Sequence, residues 1–254
     1  MNLFSLQGKT ALITGSTKGI GLAIAEQMAA AGANVVISSR KQEACEAVAE
    51  KINQAGGGKA VAIPCNINYI EELRALVDKT LAAFGQIDIL VCNAALNPFY
   101  GSSQDIPDSA FQKIMDTNIG QVHHLCQLVI PAMAERKDGA VIIVSSIGGL
   151  KGSNVLGAYA ISKAADMQIA RNLAVEWGPQ NIRVNCIAPG LVRTDFARAL
   201  WENPETYAKT VEKYPLRRIG EPEEIAGTAV YLASKAGSFV TGQTIVVDGG
   251  GTIA

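Results

Sequence analysis

Seven short apolar runs rich in β-formers alternate with longer segments of helical periodicity. That alternation restricts the fold of this chain more than any other feature. The runs are residues 11–14, 35–38, 60–64, 89–92, 141–145, 184–188 and 244–247. Segments 20–31, 43–54 and 70–84 carry apolar residues at three- and four-residue steps, the period of an amphipathic helix. Strands alternating with helices predict a parallel sheet covered on both faces. Strands so covered read as apolar throughout, as Ala140-Val141-Ile142-Ile143-Val144 does. Right-handed crossovers then give a doubly wound α/β fold of about seven strands. Its 254 residues fit one domain of that class, spanning 1–254. Gly56-Gly57-Gly58 is too short to be a linker. Residues 191–218 hold no strand and are punctuated by Pro204 and Pro215, which predicts a functional segment such as a lid over substrate.

A net charge of −1 gives no field for nucleic acid or an anionic membrane. No apolar run reaches the ~18 residues of a membrane span. The start of the chain does not read as a secretory signal, and Thr252-Ile253-Ala254 is neither a peroxisomal nor an endoplasmic-reticulum address. Five cysteines, none at C-x-x-C spacing, predict buried reduced thiols with no disulfide framework and no zinc site. The expected location is cytoplasmic.

The first strand runs into Thr14-Gly15-Ser16-Thr17-Lys18-Gly19-Ile20-Gly21, where a helical pattern begins. Gly15 permits the tight turn, Gly19 lets backbone approach a pyrophosphate, and Gly21 lets the helix pack close to the sheet. With Thr17, Lys18 and Ile20 they form a loop whose helix N-terminus attracts phosphate. On strand, turn and helix at the head of a βαβ unit, this spacing predicts a dinucleotide-binding Rossmann fold. An NAD site places an acid at the end of the second strand, for the ribose hydroxyls. Here the strand ends Ser38-Ser39-Arg40, with no acid before Glu43. Arg40 suits a 2′-phosphate, Ser39 can donate to it, and Lys18 can add charge. That predicts NADP(H); the alternative is that Lys18 and Arg40 are ordinary solvated cations.

Tyr159-Ala160-Ile161-Ser162-Lys163 lies in a helix-compatible run, so Tyr159 and Lys163 share a helical face. Tyrosine is a poor base at neutral pH, and a nearby ammonium favours the phenolate. Such a pair can protonate a carbonyl oxygen in reduction and accept the proton back in oxidation. Ser145-Ser146 ends the fifth strand, Cys92-Asn93-Ala94-Ala95 follows the fourth, and Asn118 sits in the helix beyond it. Ala188-Pro189-Gly190-Leu191-Val192-Arg193-Thr194 ends the sixth. Strand ends are where open parallel sheets present ligand sites.

From Gly8 to Gly251 this ordered set of motifs resembles the short-chain dehydrogenase/reductase family. The resemblance implies a hydride-transferring oxidoreductase. It makes Tyr159 the proton donor or acceptor and Lys163 the residue that holds the nicotinamide ribose. Ser146 orients the substrate oxygen, and Asn118 supports a water-linked relay to the lysine. Asn93 and Ala94 become cofactor contacts, Asn66 and Ile67 border the adenine, and Pro189, Gly190, Val192 and Thr194 border the nicotinamide. Two positions depart from the usual pattern: Ala95 stands where glycine is common, and Asn66 where an acid is common. The stretches 93–101 and 183–191 are similar to mammalian NADP-dependent carbonyl and retinol reductases of peroxisomes. That likeness implies ketone and aldehyde substrates, bulky apolar ones included, and a homotetramer.

His123 and His124 point about 100° apart on a helix and cannot share one metal, so no metal is expected. Asp248-Gly249-Gly250-Gly251 reads as a turn. Phe99, Tyr100, Leu150, Leu156, Phe196, Leu200 and Trp201 are candidate walls of an apolar pocket. Arg193 and Arg198 read equally as anion readers or as solvated charges. Two other functions stay open. One is reduction of 3-oxoacyl groups on an acyl carrier, with Arg136, Lys137 and Arg171 as the docking patch. The other is a non-catalytic NADP-binding sensor or scaffold.

Overall fold

The computed structural model describes residues 2–254. Its strands are β1 (Thr10–Thr14), β2 (Asn34–Ser38), β3 (Ala60–Ala62), β4 (Ile89–Cys92), β5 (Gly139–Val144), β6 (Ile182–Pro189) and β7 (Thr244–Val247). They form one sheet in the order β3-β2-β1-β4-β5-β6-β7, with every pairing parallel. The chain winds outward from β1 to β3, then returns to place β4 on the other side of β1. That reversal opens a crevice beyond the carboxyl ends of β1 and β4, where open α/β sheets bind ligands.

Successive strand side chains point to opposite faces, and both faces are packed. On one face Ile13, Val35, Ile37, Val91 and Ile142 meet helices α1 (Gly19–Ala30), α2 (Gln42–Ala55) and, later in the chain, α9 (Pro222–Ala233). On the other, Leu12, Val36, Leu90, Val141 and Val184 meet α3 (Ile70–Phe84), α5 (Gln121–Arg136) and α6 (Gly157–Trp177). β3 is two residues shorter than its apolar run, yet Ile63 N still donates to Ile37 O and Cys65 N to Ser39 O; Pro64 falls where an edge strand's N–H would face away from β2.

Three irregular pieces complete the frame. The short α4 (Asp108–Ile114) runs into a π-helical turn, Met115–Gly120, before α5. Between β6 and α9 the strandless segment is helical: a 3-10 turn Asp195–Ala197, α7 (Arg198–Trp201) and α8 (Pro204–Val211). Asn203 caps α8 by accepting from Glu205 N and Thr206 N, with Pro204 at the first helical position. A single bridge, Val192 to Gly220, ties the two ends of this segment together. Among the described residues no helix is long and apolar enough to cross a membrane.

Candidate active site

The glycine loop is built by hydrogen bonds to two neighbouring strands. Gly15 and Gly19 have φ of +66° and +56°, which side chains rarely tolerate. A Cβ on Gly21 would lie 2.3 Å from Gly15 O and 2.5 Å from Asn93 Nδ2. Asn93 Nδ2 donates to Thr14 O and Gly15 O, and Thr14 Oγ1 accepts from Asn93 N and Ala94 N. The buried Ser16 reaches the other way, accepting from Ser38 N at 2.8 Å. Thr14 and Ser16 therefore fix the loop between β4 and β2, a role that no local pattern announces. α1 starts at Lys18 with no side-chain cap and no acid in its first turn. Its first N–H groups and positive dipole end remain available, so the cradle fits a dinucleotide pyrophosphate.

At the end of β2, Ser39 is half-buried and Arg40 is exposed. Among the described residues Arg40 makes no ion pair. Lys18 instead lies 3.5 Å from Asp195 on the 191–218 segment, both side chains being well exposed. After β3, Asn66 N donates to Glu72 Oε2 at 2.6 Å, so a carboxylate stands beside the position where the acid is missing. Ile67 packs against the α3 side of the core.

The chemistry-bearing residues meet beyond β5. Ser146 begins a 3-10 turn, Ile147–Gly149, and its Oγ accepts from Gly148 N at 3.0 Å. A Cβ on Gly148 would lie 3.3 Å from Ser146 Oγ and 3.8 Å from the Tyr159 ring, so the two side chains flank one spot. Lys163 Nζ sits 5.8 Å from the Tyr159 ring centroid. The lysine is 4% exposed; it donates to Val144 O and to Asp166 Oδ2, each at 3.0 Å. Burial alone would lower the lysine's pKa. The Asp166 charge, the Tyr159 hydroxyl and the Asp166 hydrogen bond outweigh it and hold the ammonium above its ordinary range. The neighbouring Ser145 is also used: its Oγ donates to Lys163 O at 2.7 Å and anchors α6 to the strand end.

Asn118 lies on the π-helical turn rather than on a regular helix, and is 1% exposed. Its Oδ1 accepts from Leu96 N, and its Nδ2 donates to Leu96 O and Ser162 Oγ. Ser162 Oγ in turn donates to Tyr159 O. The side chain thus clamps the loop after β4 to the helix carrying Tyr159 and does not itself touch Lys163. Single π turns occur often at functional sites, because the extra residue re-aims a side chain.

The sixth strand delivers Pro189, Gly190, Val192 and Thr194 to the same crevice. Val192 is buried, and Thr194 Cγ2 lies 3.1 Å from where a Gly19 Cβ would be. The 191–218 segment and the glycine loop therefore touch, beside a cavity of about 300 Å³ bordered by Gly19, Thr194, Asp195 and Trp201. Phe196 packs on the Tyr159 ring with centroids 6.0 Å apart. The loop after β4 joins the segment before α6 through a bridge between Gly101 and Leu156. Of the expected apolar walls, Phe196 is the one that packs on the tyrosine, while Tyr100 and Leu150 are exposed.

Several candidates are committed elsewhere. Arg193 pairs with Glu221 at 3.0 Å and lies over Trp201 at 5.2 Å. Arg198 is 3.9 Å from Glu202. Arg136 and Lys137 end α5 at the amino-terminal edge of the sheet, opposite the crevice, where Arg136 donates to Ile87 O at 2.6 Å. They do not line the entrance. All five cysteines are free and buried. Burial pushes the Cys65 thiol up to about 12, which makes it a poor nucleophile.

Comparison with known proteins follows the same lines. Residues 15–252 match the family model described as "Enoyl-(Acyl carrier protein) reductase". "Dehydrogenase/reductase SDR family member 4" of Oryctolagus cuniculus is 43% identical over 245 residues, covering 96% of this chain and 94% of the relative. A short-chain type dehydrogenase/reductase from Mycobacterium marinum is 38% identical, with a TM-score of 0.93 over 100% of this chain and 99% of its own. A 7α-hydroxysteroid dehydrogenase complexed with NADH and 7-oxo glycochenodeoxycholic acid is 39% identical, with a TM-score of 0.94 over 98% of this chain and 96% of its own.

Proposed function

From the premise that the chain belongs to the short-chain dehydrogenase/reductase family, oxidoreductases that use a nicotinamide dinucleotide, we propose that it is an NADP(H)-dependent carbonyl reductase or alcohol dehydrogenase for apolar substrates. The observation that carries the reading is the convergence of Ser146, Tyr159 and Lys163 beyond the carboxyl end of β5, with Phe196 packed on the Tyr159 ring. When bound, the nicotinamide supplies or takes up the hydride. The chain manages the proton and the orientation. The Tyr159 hydroxyl donates its proton to the carbonyl oxygen in reduction and accepts it back in oxidation. The Lys163 ammonium stabilises negative charge on that oxygen, and the Ser146 hydroxyl directs the carbonyl toward it.

Residues Gly15, Thr17, Lys18, Gly19, Ile20 and Gly21 would hold the pyrophosphate. Asn66 and Ile67 would border the adenine, Asn93 and Ala94 would contact the cofactor, and Pro189, Gly190, Val192 and Thr194 would border the nicotinamide. A 39% identical relative binds NADH, so family membership leaves both dinucleotides open and local charge must decide. Ser39 and the unpaired Arg40, with no acid at the end of β2, favour the 2′-phosphate. The acyl-carrier alternative is weakened because two of its three docking candidates lie on the far edge of the sheet. Phe196 against Tyr159 favours a flat or apolar substrate over a charged one.

Tyr159→Phe is the direct test. Reduction of an aromatic ketone by NADPH should fall by roughly a hundredfold or more, the usual scale of a lost general acid. NADPH binding, followed by the change in its fluorescence, should persist. Near wild-type turnover in this variant would remove Tyr159 from the chemistry.

A further inference from the structure

One buried charge next to this site has no part in the mechanism above. Asp166 lies on α6, three residues beyond Lys163, and is 0% exposed. Its Oδ2 lies 3.0 Å from Lys163 Nζ, while its Oδ1 is buried with no hydrogen-bond partner. An ammonium has three donors. Lys163 spends one on Asp166 and one on Val144 O, leaving one on the side where the Tyr159 ring lies. A buried ion pair adds little stability over well-packed apolar residues, because desolvation offsets the attraction. Stability alone therefore does not account for an aspartate here, least of all one with an orphaned oxygen.

We propose that Asp166 is a positioning residue of the reaction: its buried carboxylate clamps the Lys163 ammonium against the Val144 carbonyl and compensates its charge, setting how strongly that charge acts on Tyr159. The inference rests on the Tyr159/Lys163 reading above. The other titratable groups around the pair are Cys92 on β4, Cys126 on α5, Cys186 on β6 and Tyr159 itself. The Cys126 hydrogen bond and burial hold the Cys92 thiol far above its ordinary range, and burial does the same for Cys186, so neither supplies charge. The Cys186 thiol donates to the Asp166 carbonyl at 3.3 Å and leaves the carboxylate free. Arg171 is exposed and bonded to Gln168, and Asp116 on the π turn is exposed and bonded to Gln112. Burial raises the Asp166 carboxyl too, but the Lys163 charge and hydrogen bond oppose it, which makes Asp166 the one buried candidate counter-charge to Lys163 among the described residues.

Removing the negative charge makes every proton in the Lys163/Tyr159 pair easier to lose, whichever of the two groups releases it. In Asp166→Asn and Asp166→Leu, the alkaline limb of kcat/KM for NADPH-dependent reduction of an aromatic 1,2-diketone should move to lower pH, by about one unit or more. A uniformly lower rate with the limb in its wild-type place would mean that Asp166 acts only structurally, and would overturn the proposal. A second measurement needs no variant. In wild-type protein with 13C-labelled aspartate carboxyls, the Asp166 resonance should be that of a carboxylate at neutral pH, and a protonated carboxyl there overturns the proposal as well. Tyr159→Phe separates the two levels. If that variant is inactive and the Asp166 limb does not move, only this inference fails. If it is active, the underlying reading fails.

Discussion

The proposed preference for NADP(H) rests on charge: Arg40 and Lys41 follow β2, and no acid stands before Glu43. A phosphate ester there gains bidentate, charge-assisted hydrogen bonds, each worth about 1.5–3 kcal/mol. Arg40→Asp replaces those bonds with repulsion and offers a carboxylate to the ribose hydroxyls of NADH. The expected outcome is a roughly tenfold to hundredfold fall in kcat/KM for NADPH and a gain for NADH, read from steady-state rates with each dinucleotide. Unchanged preference would mean that Arg40 does not reach the 2′-phosphate. At this scale the sequence was most legible where chemistry imposes spacing, as in Tyr159 with Lys163 and the three loop glycines. It was silent on Thr14, Ser16, Ser145, Ser162 and Asp166. Each of these acts through a bond to a backbone or side-chain partner that only the fold brings near, and Ser145, eighteen residues from Lys163, shows why no local pattern could mark it. Asn118 was visible as a site residue, yet its grip on Leu96 and Ser162 was not.

Helix α9 shows what an element needs in order to hold the far end of the 191–218 segment. Glu221 and Glu224 form a capping box at its N-terminus, with Pro222 at the first position. Arg218, at the close of that segment, grips Glu224 through both terminal guanidinium nitrogens at 2.7 Å. The Arg218 hydrogen bond, then the Glu221 N–H, depress the Glu224 pKa to about 2. A depressed carboxyl stabilises the fold above its unfolded value of about 4.3, and that contribution is lost as pH falls through the folded value. Glu224→Gln should therefore lower the melting temperature at neutral pH, with the gap to wild type closing between about pH 4 and pH 2. Both side chains are two-fifths or more exposed, so solvent screening keeps the loss near about 1 kcal/mol, the scale of a lost cap. Thermal scans across that range would show it, and a gap unaffected by acid would assign the effect to packing. Strands and long helices were readable because their periods are strong. The short helices of the 191–218 segment and the π turn were not: α7 spans four residues, and a π turn adds one residue without leaving a repeat.

Among the described residues, two of the exposed apolar areas lie on regular elements, and they bear on how copies assemble. On α4 and α6, Phe111, Ile161 and Val175 face outward, the last 81% exposed. At the open edge of the sheet, Val246 on β7 is exposed together with the nearby Phe239, while β7 itself pairs only with β6. An unpaired strand edge beside apolar side chains is costly to leave in water and is normally covered. Two such areas on one chain allow two independent two-fold contacts, which close as a tetramer; a single area would close as a dimer. That geometry supports the homotetramer that the resemblance to the carbonyl reductases implies. Light scattering on the purified protein should give four times the 26.7 kDa chain mass. Val246→Lys places a charge on the β7 edge and leaves the α4/α6 area intact, so it should yield dimers that retain the glycine loop and Tyr159 within each chain. A monomer at micromolar concentration would mean that neither area is an interface. A Val246→Lys tetramer would leave assembly through the α4/α6 area and move the second contact away from β7.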